Sequence, residues 1–285
     1  MSRIAYVNGR YVPMREAMVH VEDRGYQFAD GVYEVCEVRG GRLVDERRHL
    51  DRLERSLGEL RIPMPLARAA LGVILREVVA RNRVGYGIVY LQISRGVAKR
   101  DHAFPRVTIA PSLVVTARRL DKARNEALAA KGIAVISVPE NRWGRVDIKT
   151  VGLLPNVLAR QTAIDQGARD AWFVDKAGLV TEASSANAWI VTDTGKLVTR
   201  HADHAILHGI TRSVVLDAVK EQNIAVEQRA FTLEEAYGAR EAFITSASQI
   251  VLPVVSINGR TIGGGKPGPV AAALRGVFHR YAETG

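Results

Sequence analysis

With 285 residues, of which 47% are hydrophobic and 25% charged, the chain has enough apolar material for a substantial buried core, in one large domain or two modest ones. No run of eighteen apolar residues occurs, and the opening Met1-Ser2-Arg3-Ile4-Ala5-Tyr6 lacks the apolar stretch of a signal peptide, so no membrane association is expected. The single cysteine, Cys36, excludes an internal disulfide framework and fits a reducing, cytoplasmic setting. The net charge of +10 raises the question of nucleic acid. The arginines are scattered, however, with only short pairs such as Arg47-Arg48 and Arg118-Arg119. There is no basic tail, zinc-finger spacing or aromatic RNA-binding motif, so the charge reads as a solvated surface that can draw in anionic substrates or phosphorylated cofactors.

In chain order, residues 4–7 and 10–12 flank Asn8-Gly9, a hairpin turn whose residues both tolerate positive φ. A second hairpin is predicted over 33–38 and 43–44 about Gly40-Gly41. Leu50, Leu53, Leu57 and Leu60 recur at helical spacing and predict a helix over 49–60. Another is expected over 66–81, preceded by Pro63 and Pro65, and residues 88–94 and 107–116 read as strands. The polar stretch 118–126 shows no strand pattern and is taken as the boundary: an N-terminal domain 1–118, a linker 119–123 and a C-terminal domain 124–285.

The second half opens with a strand over 132–138. A helix over 156–166 follows, with Gly167 at its C-terminal cap. Two hairpins then turn at 175–178 and 193–196. A helix over 210–222 begins after Gly209, Thr232 and Glu235 form a capping box, residues 242–246 read as a strand, and 270–281 as a closing helix. Hairpins and helices mix without regular β-α-β alternation, so both domains are expected to be α+β.

Of eight lysines, seven lie in polar or turn contexts. Lys149 lies in Val146-Asp147-Ile148-Lys149-Thr150-Val151-Gly152, with apolar neighbours on both sides. Apolar surroundings favour the neutral amine, which can attack a carbonyl, although a partly buried structural lysine is the commoner case. Leu207-His208-Gly209-Ile210-Thr211-Arg212 places a glycine and two backbone amides at a helix start, a ready-made phosphate site. Gly264-Gly265-Lys266-Pro267 lacks P-loop spacing and reads as a surface loop. His201, His204 and His208 mimic a metal spacing but lack a clear fourth ligand, so no metal is expected. Ser184-Ser185 lacks the glycines of a nucleophile elbow, and Cys36 reads as packing.

Five segments together resemble the fold-type IV pyridoxal-phosphate enzymes, and among them the D-amino acid (D-alanine) aminotransferases. They are residues 23–35, His49-Leu50-Asp51-Arg52-Leu53, Asp147-Ile148-Lys149-Thr150, Thr181-Glu182-Ala183-Ser184-Ser185-Ala186-Asn187 and 206–212, in the family's order. The resemblance implies a two-domain α+β fold with pyridoxal 5'-phosphate in the cleft between the domains. It makes Lys149 the Schiff-base lysine and proton shuttle, and Glu182 the carboxylate that keeps the pyridine nitrogen protonated. Arg52, the backbone amides of Ile210 and Thr211, and the segment Ser246, Ala247 and Ser248 are implied to meet the cofactor phosphate. Ala247 departs from the family, which often has threonine there.

Tyr33, Arg100 and His102 are implied to hold the substrate carboxylate, an arginine fork with a histidine and a phenol. The implied reaction is ping-pong exchange of an amino group between D-amino acids and 2-oxo acids, in a homodimer whose sites borrow loops from the partner. Within the same fold, a branched-chain L-aminotransferase, an (R)-amine transaminase or an aminodeoxychorismate lyase are the alternatives. In a different class, the alternative is a basic nucleic-acid-binding protein on an inactive fold.

Overall fold

The computed structural model describes residues 3–222 and 224–284. The chain forms two compact units. One holds the described residues up to Asp121 together with Ile148–Gly152 and the pair Glu283 and Thr284; the other holds Lys122–Asp147 and Leu153–Ala282.

The first unit contains β1 (Ile4–Val7), β2 (Arg10–Pro13), α1 (Arg24–Phe28), β3 (Gly31–Arg39), β4 (Arg42–Leu43), α2 (Glu46–Glu59), α3 (Arg68–Arg81), β5 (Tyr86–Ser94) and β6 (Ser112–Arg119). The strands form one antiparallel sheet in the order β2-β1-β6-β5-β3-β4. Alternation sets its faces: Val32, Cys36 and Val38, with Val89, Leu91 and Ile93 and with Leu113, Val115 and Ala117, join the leucines of α2 and the apolar side of α3 in one cluster. The other face carries Tyr33, Tyr90 and Gln92, all partly exposed. Residues 107–111, expected as strand, have no regular structure; Pro105 and Pro111 lack the N–H that a ladder needs, and pairing begins at Ser112.

The expected linker 119–123 is shorter in the structure. Arg118 and Arg119 still pair with Ile88 and Gly87 in the sheet, and a helix starts at Lys122. The second unit contains that helix, α4 (Lys122–Lys131), then β7 (Ile133–Pro139), α5 (Leu154–Asp165), β8 (Asp170–Val174), β9 (Leu179–Ala183), β10 (Asn187–Val191), β11 (Leu197–Thr199) and α6 (Ile210–Glu221). It continues with β12 (Val226–Gln228), β13 (Phe231–Thr232), α7 (Leu233–Tyr237), β14 (Glu241–Ser246), β15 (Ile250–Ile257), β16 (Arg260–Thr261) and α8 (Pro269–Tyr281).

Its strands form a ten-stranded mixed sheet in the order β12-β11-β10-β14-β15-β7-β8-β9-β13, with β16 beside β15. Trp172, Phe173, Trp189, Phe231 and Phe243 are fully buried in it, and Trp189 stacks on Phe243 at 5.5 Å between centroids. The capping box at Thr232 and Glu235 is present. Among the described residues, no helix is long and apolar enough to cross a membrane.

Residues 148–152 leave the second unit and join the first, although the boundary read from the sequence assigns all of 124–285 to one domain. The reason is local pairing. Ile148 is buried in the first unit's apolar cluster, Thr150 forms a β-bridge with Val32, and the Val151 N–H donates to the Gly31 carbonyl at 3.1 Å. Five residues thus act as a short extra edge on β3, and they carry Lys149.

Candidate active site

Lys149 is fixed by its backbone. Its carbonyl accepts from the Tyr33 N–H at 3.0 Å, and its own N–H reaches Ser56 Oγ at 3.5 Å. Its half-buried side chain ends with Nζ 4.1 Å from the centroid of the Tyr33 ring. The structure therefore brings together two residues that the sequence singles out for different tasks, Lys149 and Tyr33.

One residue beyond Tyr33, on the opposite face of β3, Glu34 points towards α2. Arg52 donates Nε to Glu34 Oε1 at 2.7 Å and Nη2 to Glu34 Oε2 at 2.8 Å, a bidentate pair. His49 Nδ1 lies 2.7 Å from Glu34 Oε2. All three residues are buried. Burial alone would raise the Glu34 carboxyl, but the charge and hydrogen bonds of Arg52 and the hydrogen bond of His49 outweigh it and hold the group well below the usual carboxylate range. From sequence, Arg52 is singled out for the cofactor phosphate, while Glu34 and His49 are given no role of their own. A glutamate within a strand and a histidine at a helix start give no signal until the two elements pack.

Glu182, at the end of β9, is also buried. Its Oε1 accepts from Arg142 Nη1 at 2.5 Å; its Oε2 accepts from Asn187 Nδ2 at 2.9 Å and from the Leu207 N–H at 3.1 Å. Arg142, whose side chain is 4% exposed, also forks onto Glu140 through Nε and Nη2 at 2.9 and 2.6 Å, and Thr181 Oγ1 donates to Glu140 Oε2 at 2.7 Å. Burial works against the charge on Arg142, but Glu140 and Glu182 outweigh it and raise its pKa. Likewise burial pushes the Glu140 carboxyl up, while Arg142 and Thr181 bring it below its ordinary value. From sequence, Arg142 is not singled out and Asn187, quoted within the segment 181–187, is given no role of its own; each becomes recognisable once the chain folds around β9.

Asn187 links Glu182 to the start of α6, since its Nδ2 also donates to the Leu207 carbonyl at 2.9 Å. Gly209 is the N-cap of α6, followed by Ile210 and Thr211, whose amides lie in the first turn, where a helix has no acceptor of its own. A Cβ at Gly209 would overlap Asn187 Oδ1. We therefore expect Gly209→Ala to cost about 1–3 kcal/mol by forcing Asn187 aside, read as a lower urea midpoint. Ser246 ends β14, and Ala247 and Ser248 form the turn before β15; all three are partly exposed. The helix α6 packs against β14.

Arg100 and His102 sit on an exposed loop of the first unit. Arg100 Cζ lies 4.8 Å from the centroid of the Phe28 ring, and the His102 ring is 5.4 Å from it. Tyr33, the third residue expected to hold the carboxylate, lies on β3 beside Lys149 Nζ. Of the three histidines, His201 meets the Asp203 carboxylate at 3.3 Å and His208 the Asp203 carbonyl at 3.2 Å, while His204 meets Asp147 at 3.2 Å. Among the described residues, no group of three or more metal-ligating side chains forms.

The sequence profile of the amino-transferase class IV family matches residues 31–257. The chain is 39% identical over 273 residues to a D-alanine aminotransferase of Listeria innocua serovar 6a, covering 95% of this chain and 93% of that protein. It is 35% identical over 279 residues to a D-alanine aminotransferase of Staphylococcus haemolyticus, covering 98% of each. The crystal structure of a T.th. branched-chain amino acid aminotransferase with pyridoxamine 5'-phosphate superposes with a TM-score of 0.89 at 27% identity, covering 98% of this chain and 94% of that one.

The chain belongs to the class IV aminotransferases, enzymes of fold type IV that work with pyridoxal 5'-phosphate. Its residues fit that cofactor. A half-buried lysine amine suits the aldehyde, a buried carboxylate held by three donors suits a protonated ring nitrogen, and the first turn of α6 suits a phosphate.

Proposed function

We propose that the protein is a D-amino acid transaminase, moving the amino group of D-alanine- or D-glutamate-type substrates to 2-oxo acids. The observation that carries this reading is the match, over nearly the whole of both chains, to D-alanine aminotransferases. The Arg100-x-His102 pair supports it, because an arginine fork beside an imidazole suits a substrate carboxylate. When bound, pyridoxal phosphate supplies an aldehyde for the substrate amine and an electron sink for the charge left on Cα.

The chain's own residues do the rest. With the cofactor bound, Lys149 would hold it through its aldehyde carbon and, once the substrate amine takes that place, would move the proton from the substrate Cα to that carbon. Glu182, its orientation set by Arg142, Asn187 and the Leu207 amide, would present its carboxylate to the ring nitrogen. Arg52, the amides of Ile210 and Thr211, and the Ser246-Ala247-Ser248 turn are the groups that would receive the cofactor phosphate. Tyr33, Arg100 and His102 orient the substrate carboxylate.

The resemblance to the relatives further supports a homodimer, in which the exposed Arg100–His102 loop is assigned to the site of a second copy. Buried Cys36 and the lack of any other cysteine suit a cytoplasmic enzyme.

The test follows cofactor absorbance on adding D-alanine and, separately, L-alanine. Conversion with D-alanine alone is expected; conversion with L-alanine alone would move the substrate to the branched-chain L-amino acids of the structural relatives. Arg100→Ala is expected to raise KM for D-alanine about tenfold or more, the loss of one charge-assisted contact, while sparing turnover of simple amines. Equal losses on both would count against the carboxylate role. Sedimentation across a dilution series checks the dimer, and full activity in a monomer would remove it.

A further inference from the structure

The loop that carries Arg100 and His102 has no helix or strand, and its side chains from Lys99 to Phe104 are exposed. Such a segment does not hold a guanidinium to the fraction of an ångström that carboxylate recognition needs unless something fixes its backbone. Beneath it lies a buried charge relay that the proposed chemistry does not use. Arg24, whose side chain is 4% exposed, donates Nη1 to the Asp101 carbonyl at 2.6 Å and Nη2 to the His102 carbonyl at 3.4 Å. Its Nε donates to Asp30 Oδ2 at 2.8 Å. Arg95 takes the same carboxylate from the other end of the relay, with Nε to Oδ2 at 2.7 Å and Nη2 to Oδ1 at 3.0 Å. It also donates to the carbonyls of Leu60 and Arg61 at 2.7 and 2.9 Å.

Two apolar rings complete the assembly. Phe28 lies under both Arg24 and Arg100, at 4.9 and 4.8 Å to its centroid, and touches His102. Phe104 lies under Arg95 at 3.7 Å and Arg61 at 4.8 Å. Two guanidiniums share one carboxylate here, so the relay has a net positive charge directly beside the loop, which favours an anionic ligand. Burial would raise the Asp30 carboxyl, but Arg95 and Arg24 outweigh it and hold it below its ordinary value, so the relay stays ionised at neutral pH.

We propose that Arg24, braced by Asp30 and Arg95, is the positioning residue for the substrate-carboxylate loop, and that Phe28 sets the direction of the Arg100 guanidinium. This rests on the carboxylate role given to Arg100 and His102. Arg24 touches no substrate atom; it acts by fixing the backbone at 101 and 102. Removing its fork leaves Asp30 paired with Arg95, so the loss falls on the loop rather than on an orphaned buried charge.

The test is steady-state kinetics of the cofactor-loaded enzyme with D-alanine and pyruvate, for Arg24→Lys, Arg100→Ala and the double variant. A lysine keeps the charge but cannot serve two carbonyls and a carboxylate in one plane. Arg24→Lys is expected to raise both KM values about tenfold with kcat within about twofold. The double variant is expected to be no worse than Arg100→Ala alone, since both act through one contact. Parental KM values in Arg24→Lys, or losses that multiply in the double variant, would overturn the proposal. If Arg100→Ala itself leaves KM unchanged, the carboxylate role falls first and takes the positioning role with it, a distinct result. Should Arg24→Lys not fold, Phe28→Leu, which leaves the charge relay intact, decides: a KM rise sustains the proposal and unchanged KM overturns it.

Discussion

Lys149→Ala is expected to abolish turnover of D-alanine with 2-oxoglutarate, by on the order of 10⁴-fold or more, because in the proposed mechanism one amine both anchors the cofactor and moves the proton. The fold should survive. The segment that carries Lys149 is held by main-chain contacts that alanine keeps: the Tyr33 N–H to the residue-149 carbonyl, the Val151 N–H to Gly31, and the bridge from Thr150 to Val32. What the side chain itself loses is its contact with the Tyr33 ring, about 0.5–1 kcal/mol at such a site. A melting temperature within a few degrees of the parent, with no turnover, is the expected pair of results. Turnover within tenfold of the parent would remove Lys149 from the mechanism.

The largest stability effect is expected at Glu34. Glu34→Gln leaves the buried Arg52 guanidinium without its counter-charge and should cost about 3–5 kcal/mol at neutral pH, measured by urea denaturation. Replacing both Glu34 and Arg52 by leucine should cost much less, because no orphaned charge remains. The same pair governs acid stability. The Glu34 carboxyl titrates lower in the folded chain than in the unfolded one, so its contribution is complete above the unfolded value, roughly 4.3. It is lost as pH falls from there towards the folded value. The wild-type denaturation midpoint should therefore fall steeply below about pH 4, and the Glu34→Gln variant should show a flatter acid limb. Parallel acid limbs in the two proteins would show that Glu34 is not the group responsible.

The parts of the site legible in the sequence are those carried by short contiguous motifs. Lys149 stands out because it is the one lysine among apolar neighbours, and Gly209-Ile210-Thr211 because a glycine before an apolar-periodic run marks a helix start. The residues that hold these groups in place are hidden for a common reason: their partners are remote in sequence. Arg142 reaches Glu182 across forty positions, and Glu34 meets Arg52 across eighteen. One arginine in so basic a chain gives no sign of which carboxylate it will find.

The same limit applies to the fold. The helix α4 buries only Asn125 and Ala129, so it has no apolar stripe, and its start at Lys122 falls within the stretch read as the linker 119–123. The strand β15 is buried on both faces over most of its length and has Pro253 within it, so it shows neither alternation nor an unbroken run of donors. It is tolerated beside β14, where Pro253 sits opposite Phe243, and the ladder to β7 has an irregularity between Val254 and Ser256.

The return of residues 148–152 to the first unit also sets an order of assembly during synthesis. When Asp121 has left the ribosome, all strands of the six-stranded sheet exist, but Lys149 and its edge contact do not. A further stretch, Lys122–Asp147, must be made and set aside before they arrive, and the hydrogen bonds between Asp45 and Glu283 close later still. Fragments cut at residue 121 would therefore divide Lys149 from the sheet that orients it. A gene split after residue 152 would keep the two on one polypeptide and is the better starting point for fragment complementation.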